Sequence, residues 1–199
     1  MECIEQAREW RFPDRVKLPL ALDGAALEAD LRRIEARDWT RHVVRQNYRG
    51  DWDVLPLRHA AGETHPIRQA MPVPGAIAHV DSPLLAGASY IGSVLTKLRC
   101  SLRNVRLMRL TAGSAILEHC DPGMNAESGL VRLHAPIRTG GRVSFRVNGT
   151  PVVMAPGELW YLRLSDPHAV DNDDAVDRVH LVIDAEVNDW LEAMLAAGQ

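Results

Sequence analysis

Cysteine is scarce in this sequence. Cys3, Cys100 and Cys120 are scattered over 199 residues with no Cys-x-x-Cys pair. That argues against a disulfide framework and a cysteine-built zinc site, and favours a reducing compartment. Lysine is scarcer still, present only as Lys17 and Lys97; the other basic residues are arginines. There is no basic excess, since the formal net charge is −3, and so no electrostatic case for a nucleic-acid partner. No apolar run approaches the roughly 20 residues of a membrane helix. The opening MECIEQAREWRF lacks the apolar stretch of a signal peptide. Repeats and low-complexity segments are missing too. What remains, 46% hydrophobic and 25% charged, is ordinary globular composition. The expectation is one cytoplasmic domain over 1–199, with no membrane partner and its oligomeric state open.

The chain changes character near residue 100. The first hundred residues read as helices and irregular structure. Asp23 can cap a helix with Leu27, Leu31 and Ile34 on one face, and Ile91, Val94, Leu95 and Leu98 mark a second. Residues 101–185 read instead as short strands. Val105–Thr111, Leu130–Ile137, Arg142–Val147, Glu158–Leu164 and Arg178–Asp184 carry strand patterns, divided by turn signals such as NG at 148–149 and PG at 156–157. Regularly spaced short strands suggest a sandwich or barrel. A last amphipathic helix, with Val187, Trp190, Leu191, Met194 and Leu195 on one side, is expected to pack outside the sheets.

The metal-ligating candidates lie in the second half. His119-Cys120-Asp121 ends a strand pattern. Residues two apart in a strand share a side, so His119 and Asp121 can reach one ion. His168 follows after a further strand and turn. Two imidazoles and a carboxylate on one face of an ion leave the other face open, as in non-haem iron(II) sites. The tripeptide alone is weak evidence, because His79-Val80-Asp81 repeats it. That second copy sits in a Pro-rich stretch read as turn or helix start, and it lacks a suitably placed downstream His and Arg.

Ten residues beyond His168, Arg178 opens a strand in which Val179, Leu181 and Ile183 alternate with Arg178 and His180. Leu130–Ile137 repeats the arrangement, with Arg132 and His134 opposite Val131, Leu133 and Ala135. Two strands with an Arg-x-His face imply a polar, cationic interior. Burying such groups unpaired is costly, and a dicarboxylate suits a pair of guanidinium forks. The bland alternative is that both arginines are solvated on a one-sided sheet.

These stretches have a familiar look. VRLMRLTAGSAILEHCD (105–121), GLVRLHAPI (129–137), GELWYLRLSDPHAVDN (157–172) and DRVHLVID (177–184), with softer matches at 26–39 and 48–63, resemble the aspartyl/asparaginyl β-hydroxylase family. Within it the similarity is to the small bacterial branch that includes L-proline cis-hydroxylases. The resemblance implies a mainly β, double-stranded β-helix (a cupin-like jelly roll) with helices outside. It implies iron(II), with 2-oxoglutarate and O2 as cosubstrates. It implies metal ligands at His119, Asp121 and His168, the distal carboxylate of 2-oxoglutarate on Arg178, and cosubstrate contacts from Arg132 and His134. Met108 stands where that branch can carry a hydroxyl, and Arg163 where an asparagine is expected.

The implied activity is hydroxylation of an amino acid or small carboxylic acid, with peptidyl aspartyl/asparaginyl hydroxylation as the alternative. Another metalloenzyme on the same barrel would need the triad but not Arg178, and a cupin-like binding module would need neither. Arg58 and the YRGDW stretch are candidates for a lid, against the plainer reading of Arg58 as a surface residue.

Overall fold

The computed structural model describes residues 10–199. Thirteen strands and four α-helices follow in chain order: β1 (Arg15–Lys17), α1 (Gly24–Ile34), β2 (Thr40–Arg41), β3 (Tyr48–Arg49), β4 (Trp52–Ala60), α2 (Pro66–Ala70), β5 (His79–Asp81), α3 (Ser89–Lys97), β6 (Leu102–Leu110), β7 (Ala115–His119), β8 (Leu130–Arg138), β9 (Val143–Val147), β10 (Thr150–Pro151), β11 (Trp160–Leu162), β12 (His168–Asn172), β13 (Arg178–Glu186) and α4 (Asp189–Ala197). They form two antiparallel sheets. The larger runs β1-β11-β8-β13-β6-β4-β2, with β5 added beside β4, and the smaller runs β10-β9-β12-β7-β3. This is the expected double-stranded β-helix. No described helix is long and apolar enough to cross a membrane.

Strand alternation separates two cores. On β13, Val179, Leu181 and Ile183 face the helices, as do Val131 and Leu133 on β8 and Val105 and Leu107 on β6. Leu27, Leu31 and Ile34 of α1 and Ile91 and Val94 of α3 close over them. Each fully buried aliphatic side chain there contributes roughly 2 kcal/mol. Asp23 caps α1 by accepting from the Ala26 amide at 3.0 Å, and Asn188 caps α4 through the Leu191 amide at 3.0 Å. The opposite faces meet the smaller sheet, where Met108, Leu110, Ile116, Phe145, Val170 and Val182 form the second core.

The first hundred residues depart from expectation. They supply five strands rather than only helices and irregular chain. β4 lies inside the larger sheet, paired with β6 on one side and with β2 and β5 on the other. Nearly every residue of β4 is buried, so the two-residue alternation that betrays a half-buried strand is missing. Pro56 also reads as a breaker, but the ladder shifts register between Pro56 and Arg58 and absorbs it. The freed Pro56 carbonyl accepts from Ser82 Oγ at 2.9 Å.

His79-Val80-Asp81 is a strand, β5, and not a turn. Asp81 pairs with Arg58 at 2.6 Å, and Arg58 also donates to the Leu102 carbonyl at 3.1 Å. Arg58 is therefore a sheet-edge ion pair and not part of a lid. YRGDW is the β3–β4 turn. Gly50 has φ +74°, and a Cβ there would lie 2.2 Å from Ser114 Oγ. That hydroxyl accepts from the Asp51 amide at 2.9 Å and ties the turn to the smaller sheet. Cys100 is a free thiol, whereas Cys120 is disulfide-bonded, contrary to the sequence expectation. Cys3 lies outside the described residues.

Candidate active site

The three ligand candidates converge where the smaller sheet opens. His119 ends β7 and His168 begins β12, and the two are cross-strand partners. Their ring centroids are 4.3 Å apart. Asp121 follows in the turn, where its amide donates to the Leu164 carbonyl at 2.7 Å. One ligand atom from each of the three lies within 4.8 Å of the others.

Local hydrogen bonds set the imidazole orientations. His119 Nδ1 lies 2.7 Å from the Leu117 carbonyl, and His168 Nδ1 lies 3.0 Å from the Asp166 carbonyl. A backbone carbonyl there holds the proton on Nδ1 and leaves Nε2 as the lone-pair donor. Burial, with His119 beside it, draws His168 down to about 4, so its ring is neutral at pH 7 and fit to bind a cation. Burial pushes the Asp121 carboxyl up, but Arg132, His168 and His119 outweigh it and hold it below its ordinary value. Two imidazoles, that of His168 neutral, with an ionised carboxylate and no thiolate suit a divalent first-row metal such as iron(II).

A narrow cavity of about 40 Å³ runs from these residues between the sheets to Arg178. Its walls are mainly apolar, with Trp52, Met108, Phe145 and Val182 among them. His134 also borders it, with both ring nitrogens buried and unpartnered. Arg178 is 3% exposed. Its Nη2 donates to His180 Nδ1 at 2.9 Å, its guanidinium sits 5.4 Å over the Phe145 ring, and its Nε has no partner. No carboxylate among the described residues pairs with it. Burial draws it down to about 9. A buried cation with an unused donor, across the cavity from the triad, suits an anionic ligand.

Arg132 is differently placed. It borders the cavity, but its Nε donates to Asp184 Oδ1 at 2.7 Å and its Nη1 to Asp121 Oδ2. From the sequence alone, a bound dianion is expected to compensate both arginines. For Arg132 the protein's own carboxylates already do so. Arg163 faces neither chamber: it donates to Asp166 at 2.9 Å and to the Phe12 carbonyl at 3.1 Å, beneath Trp10. It fastens the N-terminal segment.

A wider mouth of about 250 Å³ shares Trp52, Met108, His119, Asp121 and Arg132 with the inner cavity. It adds His42 and Arg106. His42 stacks on Trp52 at 3.7 Å, and burial, with Arg106 nearby, draws it down to about 3. Neither residue lies in a recognisable motif. The Arg-x-His alternation could have suggested Arg106, since Arg106 and Met108 occupy the same inward face on β6.

The model of one family, aspartyl/asparaginyl beta-hydroxylase, matches residues 23–187. The chain belongs to that family. Among curated relatives, L-proline cis-4-hydroxylase of Rhizobium meliloti (strain 1021) is 25% identical over 176 residues, covering 87% of this chain. The chain spans 61% of that relative's length. Solved structures agree on the fold. An oxidoreductase of the 2OG-Fe(II) oxygenase family from Burkholderia pseudomallei superposes with TM-score 0.53 at 20% identity, over 87% of this chain and 84% of its own. The non-haem α-ketoglutarate-dependent epimerase SnoN from nogalamycin biosynthesis gives 0.58 at 11% identity, over 88% and 78%. For this β-hydroxylase family member, then, the jelly roll and the His-Asp-His cluster stand on independent observations.

Proposed function

We propose that this protein is an iron(II)- and 2-oxoglutarate-dependent hydroxylase of an amino acid or small carboxylic acid. The observation that carries the reading is one cavity with a His-Asp-His cluster at one end and an unpaired buried arginine at the other. Family membership and the similarity to a proline hydroxylase support it.

In this reading His119 and His168 hold the metal through Nε2 and Asp121 through its free oxygen. Arg178 binds the distal carboxylate of 2-oxoglutarate with its planar fork, and His134 offers a ring nitrogen to the same ligand. Iron and 2-oxoglutarate, with O2, supply the oxidising chemistry, and 2-oxoglutarate leaves as succinate and CO2. The apolar walls exclude water and leave room for a C–H bond beside the metal. No side chain has to act as a general base. At the mouth, the stacked His42 and Trp52 offer a flat wall for an aliphatic body. With the similarity to a proline hydroxylase, free L-proline is the first candidate, ahead of a peptide.

The test is succinate release from 2-oxoglutarate in the presence of iron(II) and a panel of free amino acids and a proline-containing peptide. Release driven by a free amino acid, with a hydroxylated product by mass, is expected. Release driven only by the peptide would move the protein to the peptidyl reading. Arg178→Ala with undiminished activity would instead favour another metalloenzyme on this barrel.

A further inference from the structure

We infer that Asp184 is a positioning residue for the metal centre: it balances Arg106 and Arg132, so that Arg132 fixes one oxygen of Asp121 and leaves the other for the metal. The inference rests on reading His119, Asp121 and His168 as the ligand set.

Asp184 sits on β13, the central strand of the larger sheet, and is 1% exposed. An acid in the middle of a buried strand is costly unless it is paired. Sheet register supplies the pairing. Arg132 of β8 is the direct cross-strand partner of Asp184. On the other side, Arg106 of β6 opposes Val182, which places it diagonal to Asp184 on the same face. Asp184 Oδ1 accepts from Arg132 Nε at 2.7 Å and Oδ2 from Arg106 Nη1 at 2.9 Å. Arg132 Nη1 then reaches on to Asp121 Oδ2. The other oxygen of Asp121, Oδ1, lies 3.9 Å from His119 Nε2, on the ligand side.

The result is an alternating chain, Arg106–Asp184–Arg132–Asp121, with two positive and two negative charges. Asp184 itself borders neither the inner cavity nor the mouth, so it is not a ligand. Its influence runs through Arg132. Removing its charge would leave two cations and a single carboxylate. The freed donors of Arg132 would then turn to Asp121 and compete with the metal for it. An uncompensated positive charge would also stand beside a site that must accept a dication. Both effects weaken metal binding, and neither depends on the substrate.

The experiment is a visible-absorption titration of the full chain with Co(II) as the probe, without cosubstrate. Asp184→Asn is nearly isosteric and should weaken Co(II) binding by about 10–100-fold, the range for partners that orient a ligand. Asp184→Glu keeps the charge and should recover part of the loss. Arg106→Met combined with Asp184→Asn restores charge balance and should bind Co(II) more tightly than Asp184→Asn alone. A merely structural role predicts the reverse, because the double variant disturbs the packing more. Unchanged affinity in Asp184→Asn, or a double variant no better than the single, overturns the inference. Should Asp184→Asn fail to fold, Arg106→Met decides alone: it should bind Co(II) at least as tightly as wild type, and weaker binding overturns the inference. A wild-type chain that binds no Co(II) sinks the ligand reading itself, which is a different failure.

Discussion

Arg132 and Arg178 make an instructive pair. They occupy inward positions on neighbouring strands, each opens an Arg-x-His pattern, and both border the same cavity. Yet Arg132 spends its donors on two carboxylates, whereas Arg178 has a histidine, an aromatic face and a donor left over. Carboxylates strengthen the hold of Arg132 on its proton despite burial, while burial alone draws Arg178 down to about 9. The same Arg-x-His pattern thus serves two purposes. The paired arginine belongs to the framework of the proposed metal site, and the other has no counter-charge among the described residues.

The largest expected effect tests that division directly. Arg132→Ala leaves Asp184 and Asp121 with a buried charge uncompensated and should cost about 3–5 kcal/mol of stability. Arg178→Met removes a buried cation that has no counter-charge, so the metal-free protein should melt at the same temperature or higher. Equal destabilisation by the two variants would erase the comparison. Thermal melts of both, side by side, are sufficient.

Acid offers a second way to separate the regions. His168 is buried and His42 half-buried, and both are neutral, at about 4 and about 3. An unfolded chain protonates them near the ordinary 6.5. The unfolded state therefore binds more protons below about 6.5, and stability falls as the pH drops from there toward 4. Burial pushes Asp184 up, but Arg106 and Arg132 prevail and hold it at about 2. Its contribution is complete above the unfolded value near 3.9 and is lost only as the pH falls toward 2. The metal-free melting temperature should thus decline between pH 7 and 5, before the Arg132 network is touched. A flat profile over that interval would contradict the assignment of the histidines.

The smallest effect is expected at Arg58, whose pairing with Asp81 lies at the sheet edge. Arg58→Ala should change stability by no more than about 1 kcal/mol and leave succinate release untouched. A marked loss of activity would reinstate Arg58 at the mouth.

Much of the β-helix could be read from the sequence because β8 and β13 each set an apolar face against one that carries Arg, His or Asp. β4 escaped because it is buried on both faces and interrupted by Pro56, so neither period shows. Of the candidate site, the triad was legible through the two-residue spacing of His119 and Asp121 and the His168 and Arg178 that follow it, a sequel that His79-Val80-Asp81, itself a strand, lacks. What could not be read was partnership. Sequence shows that Arg132 and Arg178 share a face, but only sheet register reveals that Asp184 sits opposite the first. The mouth was equally silent, because His42 and Trp52 meet through stacking and not through a motif.

The central claim is that one cavity joins a metal triad to a free arginine that binds a dicarboxylate. It is tested most directly by adding iron(II) and then 2-oxoglutarate without oxygen, and following the weak visible band of the metal–cosubstrate chelate. The account predicts a band in wild type that is lost in His168→Ala and appears in Arg178→Ala only at much higher 2-oxoglutarate. A wild-type protein that binds iron(II) but gives no band, or an Arg178→Ala variant with unaltered 2-oxoglutarate affinity, would contradict it.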